Sequence, residues 1–284
     1  MSKIFLSADS TCDLGPARAA EIGLHLVPMG VVIKGELYED KGDFNTQLIY
    51  DAVEKDGDAP KTSAGVEETY RKIFEDEAEK GNAVIHISIS DKLSVSHQNA
   101  KRAAQGLQDV YVIDSKSLSL GMGILCMEAR KLIDAGHTAA EIVAKITKMT
   151  DQVDLSFIIN DLKFLHRGGR ASGLQLLGAN LLKIRPSLYG EDGKLVPGKK
   201  FKGRFDLAVR DYTQYKLEQL ANASKDYVAV VHSDIDNAIP VEMIKTLEEA
   251  GFKKVERIIT GASITIHCGR NTIGIILLND TAGE

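Results

Sequence analysis

Short apolar runs alternate with amphipathic stretches along the whole chain of 284 residues, and this alternation constrains the fold more than any other feature. A bounded run of apolar, β-branched residues reads as a strand buried on both faces. Apolar residues three and four apart read as one face of a helix. Residues 4–8, 26–33, 83–89 and 110–113 are of the first kind. Between them, Thr46 reads as the N-cap of a helix to about residue 54, and Val66, Tyr70, Ile73, Phe74 and Ala78 share one helical face. Ala100, Ala103, Ala104 and Leu107 mark another helix, opening near Ser94. A further one runs over 118–135, and Thr138-Ala139-Ala140-Glu141 is a capping box for the next. Strands alternating with helices predict parallel sheets covered on both faces. A polar stretch at 151–154 precedes a new strand, which predicts two domains, 1–153 and 154–284. The second half reads as a loop-rich centre from 168 to 203, then a helix over 207–220 and a strand over 227–232. A helix with Pro240 in its first turn follows, then closing strands at 255–260, 263–267 and 273–278. The predicted fold class is therefore α/β, in two domains, each with a largely parallel sheet flanked by helices.

Composition narrows the function. The net charge of -5 runs against a phosphate-backbone binder, which carries a basic excess. No apolar run approaches the roughly 20 residues that cross a bilayer, and the first residues lack a signal peptide's apolar core. Three widely spaced cysteines, Cys12, Cys126 and Cys268, make neither a disulfide framework nor a zinc knuckle. No histidine pair has metal-ligand spacing. The expectation is a cytoplasmic protein with no nucleic-acid partner, no stable membrane insertion and no metal. One stretch departs from the acidic average. Residues 183–210 hold eight basic and three acidic side chains, a local charge of +5. It reads either as a solvated loop or as a docking patch for a phosphate or an acidic partner.

In parallel sheets ligands sit beyond the carboxyl ends of strands. That rule selects the loops at 9–12, 88–96, 114–117, 160–172 and 233–237, and two loops carry hydroxyls into helix starts: 60–65, with Thr62 and Ser63, and 90–97, with Ser94. Unpaired N–H groups and the dipole at a helix start favour an anion, and a carboxylate could be held there without a fixed positive charge. The same hydroxyls could equally be simple N-caps. His267 could donate to an anion or be structural; His86 and His232 read as structural. His166-Arg167-Gly168-Gly169-Arg170 could cradle an anion but fits neither nucleotide-binding template. Gly121 and Gly123 in an apolar helix imply that something packs closely there, a neighbouring helix or an acyl chain. Ser94 and His97 lack an orienting acid. Asp9 and Asp13 could pair, although Asp9 reads better as a cap of the turn after the first strand.

Taken in order, the motifs resemble those of the DegV family over nearly the whole chain. Ala8-Asp9-Ser10-Thr11-Cys12-Asp13-Leu14 is similar to its opening D-S-T-x-D-L, and Lys61-Thr62-Ser63 to its T-S loop. Ser90 with Leu93-Ser94-Val95-Ser96-His97 resembles S-x-x-L-S-G-T-Y, with valine, serine and histidine where glycine, threonine and an aromatic are usual. Val112–Lys116, Leu165–Arg170, Ile184-Arg185-Pro186 and His267-Cys268-Gly269 complete the series, with Arg270-Asn271 in place of a common Pro-Gly. The resemblance implies a two-domain α/β fold with a fatty acid in the interdomain cleft. It implies that Thr62 and Ser94 hold the carboxylate, with Ser63, His267 and Arg170 near the head group. It further implies a binding subunit rather than an enzyme, with no cofactor beyond the bound long-chain fatty acid. That subunit would serve a fatty acid kinase, and Lys202 or Arg204 would be used in docking. Residues 118–124, Phe157, Phe164 and 174–177 would line the acyl chain or simply form core. The competing readings are a small-molecule phosphotransferase and a lipid-sensing regulatory module.

Overall fold

The computed structural model describes residues 3–162, 164–165 and 184–279. The chain clusters into two compact units. One holds the residues up to Asp151 with Asp192–Lys194 and Gly261–Ser263, and the other holds Gln152–Glu191, Leu195–Thr260 and the chain from Ile264.

The first unit is built on β1 (Ile4–Asp9), which a short 3-10 turn at Ser10–Cys12 connects to α1 (Gly15–Glu21). Then come β2 (Leu24–Val27), β3 (Met29–Ile33), β4 (Glu36–Asp40), α2 (Gln47–Glu54), β5 (Lys61–Ser63), α3 (Glu67–Glu79) and β6 (Ala83–Ser88). The unit closes with α4 (Ser96–Ala104), β7 (Val110–Asp114), α5 (Leu120–Asp134) and α6 (Ala139–Met149). Strands β2-β1-β6-β7 form a parallel sheet. Every residue of β6 is buried, as a strand covered on both faces must be. Tyr70 and Phe74 of α3 pack with Val84, Ala100 and Ala103 on one face, and His86 stacks near both aromatic rings. By strand alternation, Ile85 and Ile87 point to the opposite face.

The apolar run at 26–33 is not one strand but two. Pro28, which has no N–H to give a ladder, separates β2 in the parallel sheet from β3 in a second, antiparallel sheet ordered β4-β3-β5. Strands β3 and β4 are joined by Lys34 (φ 51°) and Gly35 (φ 82°), both left-handed as a tight two-residue hairpin turn requires. The capping box forms as expected: Thr138 Oγ1 accepts from Glu141 N at 3.3 Å, and Thr138 N donates to Glu141 Oε2 at 2.8 Å.

The second unit contains β8 (Val153–Ile159), β9 (Ile184–Glu191), β10 (Lys194–Lys202, from Leu195), α7 (Phe205–Gln219), β11 (Val228–His232), α8 (Ala238–Glu249), β12 (Val255–Ile259), α9 (Ala262–Cys268, from Ile264; its first two residues belong to the first unit) and β13 (Thr272–Leu278). Its sheet runs β10-β9-β8-β13-β11-β12 and is mixed, which corrects the expectation of a largely parallel one. Only β11 and β12 pair in parallel among the registered neighbours, while β8–β9, β8–β13 and β11–β13 are antiparallel. Two further differences matter. The supposed loop before residue 203 contains β9 and β10, joined through Asp192 and Gly193, both at positive φ. The run at 263–267, β-branched and strand-like in sequence, is helix α9. Its first turn is held from far away in sequence: Asp40 Oδ2 accepts from Ser263 N and from Ser263 Oγ, each at 3.0 Å. A cap supplied by tertiary structure overrides the local preference.

Candidate functional site

Three segments meet beyond the carboxyl ends of β1 and β6: the end of β1, the chain from β5 into α3, and the loop from β6 into α4. Thr62 pairs across the small sheet with Val31, and Ser63 with Gly30. Two residues on, Gly65 N donates to Ser96 Oγ at 3.2 Å, and Asn99 Nδ2 donates to Gly65 O at 2.7 Å. Ser94 Oγ lies 2.9 Å from Ser96 Oγ and accepts from Ser96 N at 3.2 Å. The Thr62 segment and the Ser94 segment are thus bridged by direct hydrogen bonds. Thr62, Ser63 and Ser94 are half-buried, and Ser96 is fully buried. Val66 and Val95 flank this cluster and leave 58% and 62% of their surface exposed, an apolar rim beside a hydroxyl-rich floor.

The capping alternative for these hydroxyls fails in part. The residues that precede α3 and α4 are Val66 and Val95, and neither helix start receives a side-chain cap. Thr62 and Ser63 lie on a strand, short of the helix. Ser94 makes a local turn bond, to the N–H two residues on. The α3 dipole already has Glu67 and Glu68 in its first turn. An anion at this cluster would therefore be held by hydroxyls more than by that helix.

Beneath the cluster lies a buried polar group that sequence reasoning did not find. Tyr70 hydroxyl donates to Asp9 Oδ1 at 2.5 Å, and Ile89 N donates to Asp9 Oδ2 at 2.9 Å. His86 Nδ1 is 3.0 Å from Ser7 Oγ, and its Nε2 is 3.4 Å from Asp9 Oδ1, close but off the line of a hydrogen bond. Burial and the Asp9 carboxylate push the Tyr70 phenol well up, so it stays protonated and donates. Asp9 does not cap the Ser10–Cys12 turn, because both its oxygens face inward to these donors. The signal in sequence was a polar residue, His86, inside an otherwise apolar strand.

Asp9 and Asp13 are not a carboxylate pair. Asp13 accepts instead from Ser119 Oγ and, at 2.9 Å, from Gly261 N. Burial lifts its pKa from 3.8 to about 7, against the lowering effect of those two donors, and Asp40 nearby lifts it further. The folded state therefore holds a proton on Asp13 that the unfolded state has released between about pH 4 and pH 7. This contribution is present below pH 4 and is lost as the pH rises through 7. We expect the thermal midpoint of an Asp13→Asn variant to gain on the wild type from pH 5 to pH 8. A gap that does not change with pH would contradict this.

Other candidates resolve as follows. Ser94 and His97 do not pair, because His97 Nδ1 is 2.7 Å from Ser88 Oγ and burial lowers the imidazole pKa. His232 is structural: its Nδ1 faces Ser233 O at 2.6 Å, and its Nε2 accepts from Arg257 Nε at 2.8 Å. Gly123 is small because a Cβ there would meet Cys12 O and Leu120 Cδ1, each at 2.8 Å, so the Ser10–Cys12 turn packs closely against it. The three cysteines are buried free thiols, and burial pushes Cys12 up to about 12, so it is no nucleophile. His267 lies on α9 of the second unit, not at a strand end. Arg170 and the 174–177 segment fall outside the described residues. Lys202 ends β10, and Arg204, exposed, pairs with Asp206 at 2.7 Å. Among the described residues no group of three or more histidine, cysteine or acidic side chains could hold a metal ion, and no helix is long and apolar enough to cross a membrane.

Fold and site together define a class, α/β proteins that gather serine and threonine hydroxyls at the carboxyl edge of a parallel sheet. The sequence model of the DegV family matches residues 3–280, and the chain belongs to that family. It is 31% identical to a DegV domain-containing protein of Halalkalibacterium halodurans, over 97% of this chain and 98% of the relative. Among solved structures, a fatty acid-binding DegV family protein from Thermus thermophilus superposes with a TM-score of 0.89 at 26% identity, covering 96% of this chain and 98% of that one. The fatty acid kinase B3 protein of Streptococcus pneumoniae, loaded with linoleic acid, superposes at 0.82 over 99% and 100% of the two chains; at 19% identity the likeness is one of fold.

Proposed function

We propose that this chain binds a long-chain fatty acid, with its carboxylate on Thr62 and Ser94, and presents it to a separate kinase that forms the acyl phosphate. The chain itself is then a binding subunit and not an enzyme, and it needs no cofactor. The observation that carries the reading is the Gly65–Ser96 hydrogen bond, which joins the Thr62 segment to the Ser94 segment in one hydroxyl cluster. The family's fatty acid-binding members support it. Burying the acyl chain contributes about 0.8 kcal/mol per CH₂, so the chain supplies most of the affinity and the head group sets orientation. Ser63, His267 and Arg170 belong near the head group in this reading.

Denaturing extraction of the purified protein followed by mass spectrometry tests the ligand class directly. A stoichiometric fatty acid is the expected result. An empty protein that also refuses added fatty acids would overturn the proposal. For the head group, Thr62→Ala and Ser94→Ala should each weaken fatty acid binding by about 1.5–3 kcal/mol, the worth of one hydrogen bond to a charged group. Isothermal titration is the check, and full affinity in both variants would sink the assignment.

The kinase is proposed to dock on the basic end of the β9–β10 hairpin, at Lys202 or Arg204. Arg204 stands at the N-cap of α7 and is paired with Asp206, so its reversal would also disturb that helix start. Lys202→Glu is the cleaner probe. It should leave fatty acid binding intact and lower kinase-coupled turnover; loss of lipid binding instead would place this residue in the pocket.

A further inference from the structure

The hydroxyl cluster contains one member that cannot meet a ligand. Ser96 is 0% exposed, yet it ties its own loop to the chain between β5 and α3 and to β3. Its Oγ accepts from Gly65 N at 3.2 Å, lies 2.9 Å from Ser94 Oγ and lies 3.5 Å from Met29 Sδ on β3. Its own N–H donates to Ser94 Oγ at 3.2 Å. The hydroxyl also faces the phenol of Tyr70, whose proton is committed to Asp9 at 2.5 Å. Ser96 therefore stands between the half-buried hydroxyl of Ser94 and the buried acid Asp9, and it bonds to both Gly65 and Ser94.

We infer that Ser96 is a positioning residue: it sets where the Ser94 hydroxyl and the Gly65 loop stand, and so decides how well the seat discriminates a carboxylate from an uncharged head group. The inference rests on the head-group reading given above. A hydroxyl has one proton and two lone pairs. Gly65 N–H occupies one lone pair of Ser96, and what remains is shared among Ser94, Tyr70 and the sulfur of Met29. The orientation of the Ser94 proton is thus coupled to a chain that ends on Asp9, whose two oxygens already accept from Tyr70 and Ile89. Removing the Ser96 hydroxyl leaves Gly65 N–H buried without its acceptor and cuts Ser94 loose from that chain. Such a change costs orientation at the head group and leaves the acyl contacts alone.

The test compares palmitic acid with methyl palmitate, which has the same acyl chain and no charge. Dissociation constants are measured for the wild type, Ser96→Ala, Ser96→Thr, Ser94→Ala and the Ser94→Ala/Ser96→Ala double variant. The wild type should prefer the acid. Ser96→Ala should lose about tenfold of that preference, the scale of one hydrogen bond, with ester affinity unchanged. Ser96→Thr, which keeps the γ-hydroxyl, should retain the preference. The double variant should be no worse than Ser94→Ala, because Ser96 acts through Ser94. Should the alanine variant fold poorly, Ser96→Cys fills the same volume with a weak hydrogen-bonding group and should show the same loss. Full acid preference in Ser96→Ala, equal weakening of acid and ester, or additive losses in the double variant would each overturn the inference. If Ser94→Ala loses the preference while Ser96→Ala keeps it, only this inference falls. If the wild type shows no preference, or Ser94→Ala retains it, the head-group reading falls and this inference with it.

Discussion

Replacing Asp9 with alanine should cost about 3–5 kcal/mol of stability, because it leaves several buried donors without their acceptor. Tyr70 hydroxyl and Ile89 N–H both lose their partners at 2.5 and 2.9 Å, and His86 Nε2 loses the carboxylate 3.4 Å away. All of these groups are buried, so water does not replace the lost acceptor without opening the core. Asp9→Asn should cost clearly less, since one amide oxygen can still accept from Tyr70 or Ile89. Urea denaturation of the two variants beside the wild type is the measurement. A loss under about 1 kcal/mol for the alanine variant would mean the donors find other partners, and the cluster would then be incidental to the fold.

Gly65→Ala is the second large effect, and its origin is steric. A Cβ at Gly65 would stand 2.1 Å from Tyr70 Oη, 2.5 Å from Cζ and 2.7 Å from Cε2. Tyr70 is 0% exposed and packs against Phe74 and His86, so its ring has nowhere to retreat. Overpacking of this kind typically costs 1–3 kcal/mol. If the ring moves, Asp9 loses a donor as well. If the loop moves instead, the bonds from Gly65 N to Ser96 and from Asn99 to Gly65 O break, and fatty acid affinity falls with them. The expected result is a loss of about 3 kcal/mol in stability together with weakened fatty acid binding. Tyr70→Phe removes the nearest clashing atom, so Gly65→Ala should cost less in that background than in the wild type. Equal costs in the two backgrounds would show that the clash with the phenol is not what matters.

Much of the candidate site was legible before the structure. The two hydroxyl loops stand out in sequence because each leads into a helix start, and hydrogen bonds join them in the structure. The reason assigned to them was only partly right. Thr62 and Ser63 looked like residues of a helix start because they precede an amphipathic run by a few positions. They belong to β5, whose partner β3 lies some thirty residues back in the chain. Strand β5 is three residues long, too short to show a period of two. Asp9, Tyr70 and Ser96 were missed as a group for a related reason. Each looks ordinary in its own segment, and only their side-chain bonds reveal that they share one buried cluster. In sequence Gly65 reads only as the end of the 60–65 loop, since nothing local says that a tyrosine five residues on turns back onto it.

What the amino-acid sequence determined by itself is the part governed by local periodicity and caps. The doubly apolar runs of β1, β6 and β7, the amphipathic α3 and α4, and the Thr138 capping box follow from side-chain direction and short-range hydrogen bonds. The ordered motifs likewise placed the chain in its family. What only the tertiary structure decided is partner choice. Strand β13 settles between β8 and β11 and makes the second sheet mixed, an outcome no single strand encodes. Residues 263–267 favour a strand by composition and form part of α9 because Asp40, 223 positions away, caps its first turn. Period and propensity act over a few residues, whereas a cap or a strand neighbour supplied from a distant segment is set by the packed fold, and that is where local pattern stops being informative.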